Sequence, residues 1–290
     1  MRRTLDSVVA QTLHPTLWVI VDDGSTDATP EILAEYAAAH DWIRIVQKPD
    51  RGHRAVGPGV IEAFYVGYET IDPGDFTYSC KMDLDLDLPP RYFETLIERM
   101  EANPRIGTCS GKPYVRHGDQ LISERRGDEM SVGMTKFYRR TCFEAIGGYV
   151  REVMWDAIDC HKARALGWIA VSWDHADLNF EHLRPMGSSQ TSIWTGKRRH
   201  GFGQYFMGSD FLYYCATCLF RMRERPYVLG GLAMLQGYVQ AWMRRDRQLD
   251  DPELVAFIRA YQRRALTKGK AGAVAEIEAE RAALFDTPAR

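Results

Sequence analysis

Between Lys81 and Pro90 the chain reads KMDLDLDLPP, which sets Asp83, Asp85 and Asp87 at alternate positions with leucines between them. Oxygen donors at that spacing are what a hard divalent cation takes. Like charges about 7 Å apart on one face repel unless something positive lies between them. A solvated acidic strand edge, which resists aggregation, is the plainer alternative. Two further carboxylate pairs carry possible chemistry. Asp22 and Asp23 close an apolar run and open a Gly-Ser turn, where a carboxylate can accept hydrogen bonds from a nucleobase or a ribose. Asp156 and Asp159 sit in WDAIDCHKARALGW, three apart as in a capping box. A carboxylate at a helix start is kept ionised by the helix dipole and is then available as a proton acceptor.

The elements that must position these groups follow from periodicity. Phe76, Tyr78, Cys80, Met82, Leu84, Leu86 and Leu88 alternate with polar residues, which predicts one half-buried strand with the aspartates on a shared face. Pro89 and Pro90 end it, and RYFETLIERM reads as a helix with Tyr92, Phe93, Leu96, Ile97 and Met100 on one side. Upstream, LWVIV (17–21) predicts a buried parallel strand that leads into a helix with Ile32, Leu33 and Tyr36 inward, capped by Thr26 or Asp27. IRIVQK is a second strand, followed by a Gly/Pro-rich connection into another helix. The order β–α–β–α–β predicts a mostly parallel sheet with crossover helices, whose ligands lie at the carboxyl ends of the strands.

The whole chain sets the bounds. Its 290 residues, 45% of them hydrophobic, are enough for a full core, and a net charge of −2 offers no basic stripe for nucleic acid. Six cysteines lie scattered through predicted elements with no signal peptide before them, which fits a reducing cytosol. Only Cys215 and Cys218 are close; without a second pair at zinc spacing, apolar packing is their reading.

After residue 200 charges thin out. FLYYCATCLF (211–220) and the eighteen residues 226–243 read as helices that lie on a membrane face or pack as a hairpin on the domain that precedes them. RMRERP (221–226) between them suits anionic headgroups or a solvated turn. The tail predicts a helix capped by Asp251 with Pro252 first, then a second helix after KGKAG.

VIVDDGSTDAT, followed about 60 residues later by an aspartate-x-aspartate segment and PP.YFE, then CFEAIGGY and WDAIDCHKARALGW, resembles the family-2 glycosyltransferases in consistent order over roughly residues 1–200. The resemblance implies the GT-A fold, an α/β Rossmann-like sheet flanked by helices. It divides the chain into a catalytic domain at 1–200 (nucleotide-sugar half 1–100, acceptor half 101–200), an apolar helical segment at 201–250 and a helical tail at 251–290. It implies that Asp22, Asp23, Arg51 and Asp83 bind the nucleotide. Asp85 and His182 hold Mn²⁺ or Mg²⁺, although a lone His beside Glu181 also reads as an ordinary hydrogen-bonded residue. Asp156 is then the general base, and Gly148, Trp155 and Asp159 face the acceptor. Trp155 stands where members of the family usually carry an acidic residue, and it offers a stacking face to a sugar instead. Such chains usually open with an apolar strand before the LDSVVAQT helix, whereas Met1 lies inside that helix here, so a missing first strand and an unpaired neighbour are expected.

The function so implied is metal-dependent, inverting transfer of a single sugar from a nucleoside-diphosphate sugar, with UDP the expected nucleotide. The acceptor is a hydroxyl of a glycan or polyprenyl-linked molecule, in the cytoplasm or at the inner face of the cell membrane, with peripheral membrane contact. The QxxRW signature of membrane synthases is absent, which favours single-sugar transfer over processive synthesis. The rivals are a sugar nucleotidyltransferase, which would want a Gly-rich phosphate loop bearing Arg or Lys, and a non-catalytic scaffold on a degenerate transferase fold.

Overall fold

The computed structural model describes residues 1–49, 57–184 and 192–285, which fall into two compact units. The first takes the described residues of Met1–Glu144 and Val171–Pro185, the second those of Ala145–Ala170 and Met186–Arg290.

In the first unit, α1 (Arg2–Val9) precedes β1 (Trp18–Asp22), α2 (Thr29–Ala39), β2 (Ile43–Gln47) and α3 (Pro58–Tyr68). β1 and β2 pair in parallel, Trp18 opposite Ile43 through Asp22 opposite Gln47, as the apolar runs predict. Leu5, Ile20, Leu33 and Ile43 form their core, and Leu84 packs against it. The expected cap of α2 differs in detail. Its N-cap is Ala28, and Asp27 Oδ1 accepts from Thr29 N at 3.0 Å.

β3 (Tyr78–Met82) and β4 (Leu86–Asp87) flank the acidic segment, and α4 (Tyr92–Ala102) follows. β5 (Ile106–Ser110), β6 (Pro113–His117), β7 (Gln120–Ser123), β8 (Thr135–Arg139) and α5 (Arg140–Ala145) complete the run, with β9 (Ile169–Ser172) and β10 (Phe180–His182) later in the chain. The strand orders are β3–β8–β5–β9 and β4–β10–β6–β7.

Two expectations are corrected here. The sheets are mixed rather than mostly parallel: β10 runs parallel to β6, but β8 is antiparallel to both β3 and β5. The chain reaches β8 through the β6–β7 hairpin, so it enters the sheet from the opposite end. The acidic segment is also not one strand. Strand β3 ends at Met82, with Asp83 N still donating to the Met134 carbonyl at 2.8 Å, Leu84 and Asp85 form a turn, and Leu86 and Asp87 form a second short strand paired with β10. Among the described residues β1 pairs with β2 alone and β3 with β8 alone.

The second unit is helical. It holds α6 (Trp155–Ala165), α7 (Ile193–Phe206), α8 (Phe211–Arg221), α9 (Leu229–Arg244), α10 (Pro252–Glu280) and α11 (Ala282–Phe285). α9 packs on α7 and α8 around Tyr205, Tyr214, Cys218, Met234, Tyr238 and Ala241. Glycines permit the close crossing, since a Cβ at Gly237 would lie 2.1 Å from the Arg198 carbonyl oxygen. Cys218 belongs to this core, and burial pushes its thiol up to about 11. Asp251 caps α10 through Leu254 N at 2.9 Å, and Gly269 (φ 71°, ψ 167°) divides α10 into the two expected helices. No described helix is long and apolar enough to cross a membrane.

Candidate functional site

β1 delivers Asp22 to its carboxyl end, where the side chain is nearly buried and its Oδ1 accepts from Ser25 N at 3.0 Å. Gly24, at φ 84°, makes the turn that follows. Asp23 points out and pairs with Lys48 Nζ at 3.0 Å. Arg51 lies outside the described residues.

The acidic turn is held by groups from α1 and the segment after it. Thr4 Oγ1 donates to the Leu84 carbonyl at 3.1 Å, Gln11 Nε2 to that of Pro89 at 2.8 Å, and Thr12 N to that of Pro90 at 2.8 Å. Arg3 bonds both Asp87 and Glu181, so Asp87 serves an ion pair rather than a ligand site. Glu181 is nearly buried; Arg116, with three bonds at 2.6–3.1 Å, and Arg3 hold its carboxyl below the usual range against the opposing effect of burial. This clamp fixes β10, and with it His182.

Asp83 is paired with Lys81, whose Nζ also donates to the Gly133 carbonyl at 3.0 Å. Asp85 is different. Its Oδ1 is buried with no hydrogen-bond partner among the described residues, while its Oδ2 lies 3.9 Å from His182 Nε2 and 3.6 Å from Arg184 Nε. The other ring nitrogen of His182, Nδ1, is 3.1 Å from Glu124 Oε1. Burial lowers the His182 pKa, but Glu124, Asp85 and Asp83 outweigh it, and the imidazole sits above its ordinary value. Asp83, Asp85, His182, Arg184 and Glu124 thus gather in one place. Glu124 has no motif around it, and only its partner on a distant strand reveals it.

A divalent cation fits this donor set. Among the described residues no three-ligand cluster of His, Cys, Asp or Glu is present. Mg²⁺ and Mn²⁺ need only one or two protein ligands where substrate phosphates and water complete the sphere, and carboxylate oxygen suits both. An orphaned carboxylate oxygen and an imidazole braced by a second carboxylate meet that need.

In the second unit, Gly148 (φ 71°) precedes Tyr149, which packs edge-on against Trp155 at 4.9 Å between ring centroids. Trp155 keeps 8% exposure, so little of its ring is open to a sugar. Asp156 lies in the first turn of α6, half-buried, with Met154 rather than an aspartate as N-cap; Asp159 is fully buried.

The sequence model of Glycosyl transferase family 2 matches residues 1–155. The poly-beta-1,6-N-acetyl-D-glucosamine synthases of Staphylococcus epidermidis and Staphylococcus aureus (strain COL) are each 25% identical to the chain over 122 residues. The match covers 42% of this chain and only 27% of either relative's length. Among solved structures, the mannosyltransferase PcManGT from Pyrobaculum calidifontis, in complex with GDP-Man and Mn²⁺, aligns with 99% of this chain and 83% of its own at 17% identity and a TM-score of 0.48. GalNAc-T7 with UDP, GalNAc and Mn²⁺ aligns with 82% of this chain and 53% of its own at 12% identity and the same TM-score.

Proposed function

The chain belongs to glycosyl transferase family 2, and from that premise we propose that it transfers one sugar, with inversion, from a nucleoside-diphosphate sugar to a hydroxyl of a glycan or polyprenyl-linked acceptor in the cytoplasm. The observation that carries this reading is Asp85: a buried carboxylate oxygen with no hydrogen-bond partner among the described residues, beside His182, which Glu124 braces from behind. Nothing in an ordinary strand end calls for that arrangement, because an unsatisfied buried oxygen costs about 1–3 kcal/mol.

Asp22 and Asp23 accept hydrogen bonds from the base and ribose, with UDP the expected nucleotide, and Arg51 and Asp83 are assigned to the nucleotide by the family motif. Asp85 and His182 would hold a divalent metal, which when bound supplies positive charge for the departing diphosphate. Asp156, in the first turn of α6, takes the proton from the acceptor hydroxyl. The acceptor oxygen forms its bond to the anomeric carbon as the bond from that carbon to the diphosphate oxygen breaks, so one displacement inverts the centre and needs no covalent intermediate. Gly148, Trp155 and Asp159 shape the acceptor side. The name of the staphylococcal relatives supports a glycan product.

Calorimetric binding of UDP with and without Mn²⁺, on this chain and on Asp85→Ala, tests the reading. Metal-dependent binding lost in the variant is expected, after which a screen of nucleotide sugars identifies the donor. Binding that ignores both the metal and the substitution would overturn the assignment.

A further inference from the structure

LGGLAMLQGYVQAWM in α9 carries no charge before Arg244 and only two polar side chains, Gln236 and Gln240, and a helix so largely apolar normally has both faces covered. Its inner face is covered: Gly230, Gly231, Ala233, Met234, Gly237, Tyr238 and Ala241 are buried, and a Cβ at Gly231 would lie 2.4 Å from the Cys218 carbonyl oxygen of α8. Its outer face is bare, with Leu232 at 47%, Trp242 at 64% and Met243 at 71% exposure.

The neighbouring helix repeats the pattern. Leu212 and Leu219 lie about two turns apart on α8, and both are more than 60% exposed, with Phe220 beside them. Ten of the nineteen exposed large hydrophobic side chains among the described residues fall between 211 and 243, which concentrates them in this hairpin. The close crossing at Gly231 and Cys218 brings the Leu219 end of α8 to the Leu232 end of α9.

We propose that the outer face of the α8–α9 hairpin docks on an anionic lipid surface, with its leucines and aromatics at the boundary between headgroups and acyl chains. The charges select this occupant. From 211 to 245 the chain carries five arginines, at 221, 223, 225, 244 and 245, against a single acid, Glu224, which pairs with Arg221. Arginines at both ends of an apolar stripe complement anionic headgroups. The same cations would repel a second copy of this surface. At sixteen residues α9 is about 24 Å long, too short to span a hydrocarbon core of about 30 Å, so it lies on the bilayer. Docking here is independent of the transfer chemistry proposed above.

Co-sedimentation of the full chain with phosphatidylcholine vesicles, with and without phosphatidylglycerol, is the test. Binding to the anionic vesicles is expected, weakened by salt. Leu219→Glu/Leu232→Glu should weaken it about tenfold or more. Arg223→Gln/Arg225→Gln should cost about fivefold per arginine on anionic vesicles only. Circular dichroism and a thermal melt check that both variants are folded; the substituted side chains are already exposed, so folding should persist. No binding to anionic vesicles, or binding that neither variant changes, overturns the proposal. Self-association that Leu219→Glu/Leu232→Glu abolishes, without vesicle binding, would instead make this face an interface between copies.

Discussion

Glu124 Oε1 lies 3.1 Å from Nδ1 of His182, which leaves Nε2 as the nitrogen turned toward Asp85. A carboxylate behind an imidazole fixes its tautomer and orientation and strengthens it as a ligand. Glu124→Gln should therefore lower Mn²⁺ affinity, measured by titration with UDP present, by about tenfold or more. UDP binding without metal should stay unchanged. Equal metal affinity in the variant would reduce Glu124 to a packing residue.

Asp85 and Asp22 should separate in the same assay. Asp85→Asn is expected to abolish only the metal-dependent part of UDP binding, since it removes the carboxylate charge and exchanges one of its two oxygens for an NH₂ donor that repels a cation. Asp22→Asn should weaken binding with and without metal, because its carboxylate lies at the end of β1 and organises the following turn through Ser25 N. Identical behaviour of the two variants would sink the division of roles.

For Asp156 the expected signature is kinetic. Asp156→Asn should leave metal-dependent UDP affinity within about twofold while kcat falls by about 10²–10⁴. A variant that retains full kcat on a verified donor and acceptor would require another base.

Stability should respond to acid through Asp210. Burial pushes its carboxyl up, but Arg263 Nε at 2.8 Å and the N–H groups of Leu212 and Tyr213 outweigh that and hold it below the ordinary carboxylate value. A carboxyl depressed in the folded state contributes fully above the unfolded value of about 3.9 and loses that contribution as pH falls through the folded value. Asp210→Ala should cost about 1 kcal/mol at neutral pH, where it removes the α8 cap. In urea unfolding the gap between the two proteins should close as the pH drops below that range. A gap that is constant with pH would show that the ion pair contributes nothing.

Gly237→Ala tests the α7–α9 contact. The added methyl meets backbone atoms of Arg198, which cannot rotate away, so a loss of about 1–3 kcal/mol is expected, read as a lower melting temperature.

The sequence made the parallel β1–β2 pair and the helices α6, α8, α9 and α10 legible, because continuous apolar runs and cap residues are local signals, whereas α7, with its basic run, carries no continuous apolar one. It misplaced the acidic segment for a physical reason. Alternation reports which side chains are buried, and Leu84, packed on the β1 core, and Leu86, fully buried, do alternate inward. Ladder hydrogen bonds are a separate property, and they lapse after Asp83, at the Leu84–Asp85 turn, while the burial pattern continues. Buried lysines were equally hidden. Lys112 reads as a surface residue, yet its Nζ donates to the carbonyls of Arg126 and Gly127 and to Ser172 Oγ. Glu124 stands 58 positions from His182, beyond any local pattern.

The attachment of α1 to the acidic turn has a consequence for how variation in this protein should be interpreted. Thr4, Gln11 and Arg3 stand about eighty residues or more from the groups they hold, and none carries chemistry of its own. In a saturation mutagenesis screen scored on sugar transfer they should nonetheless rank with the aspartates. A substitution such as Gln11→Leu would displace the backbone of the turn while leaving every carboxylate intact. Damage to activity and loss of a reactive group would then be uncoupled, and a map of intolerant positions drawn along the chain would show an island at residues 3–12.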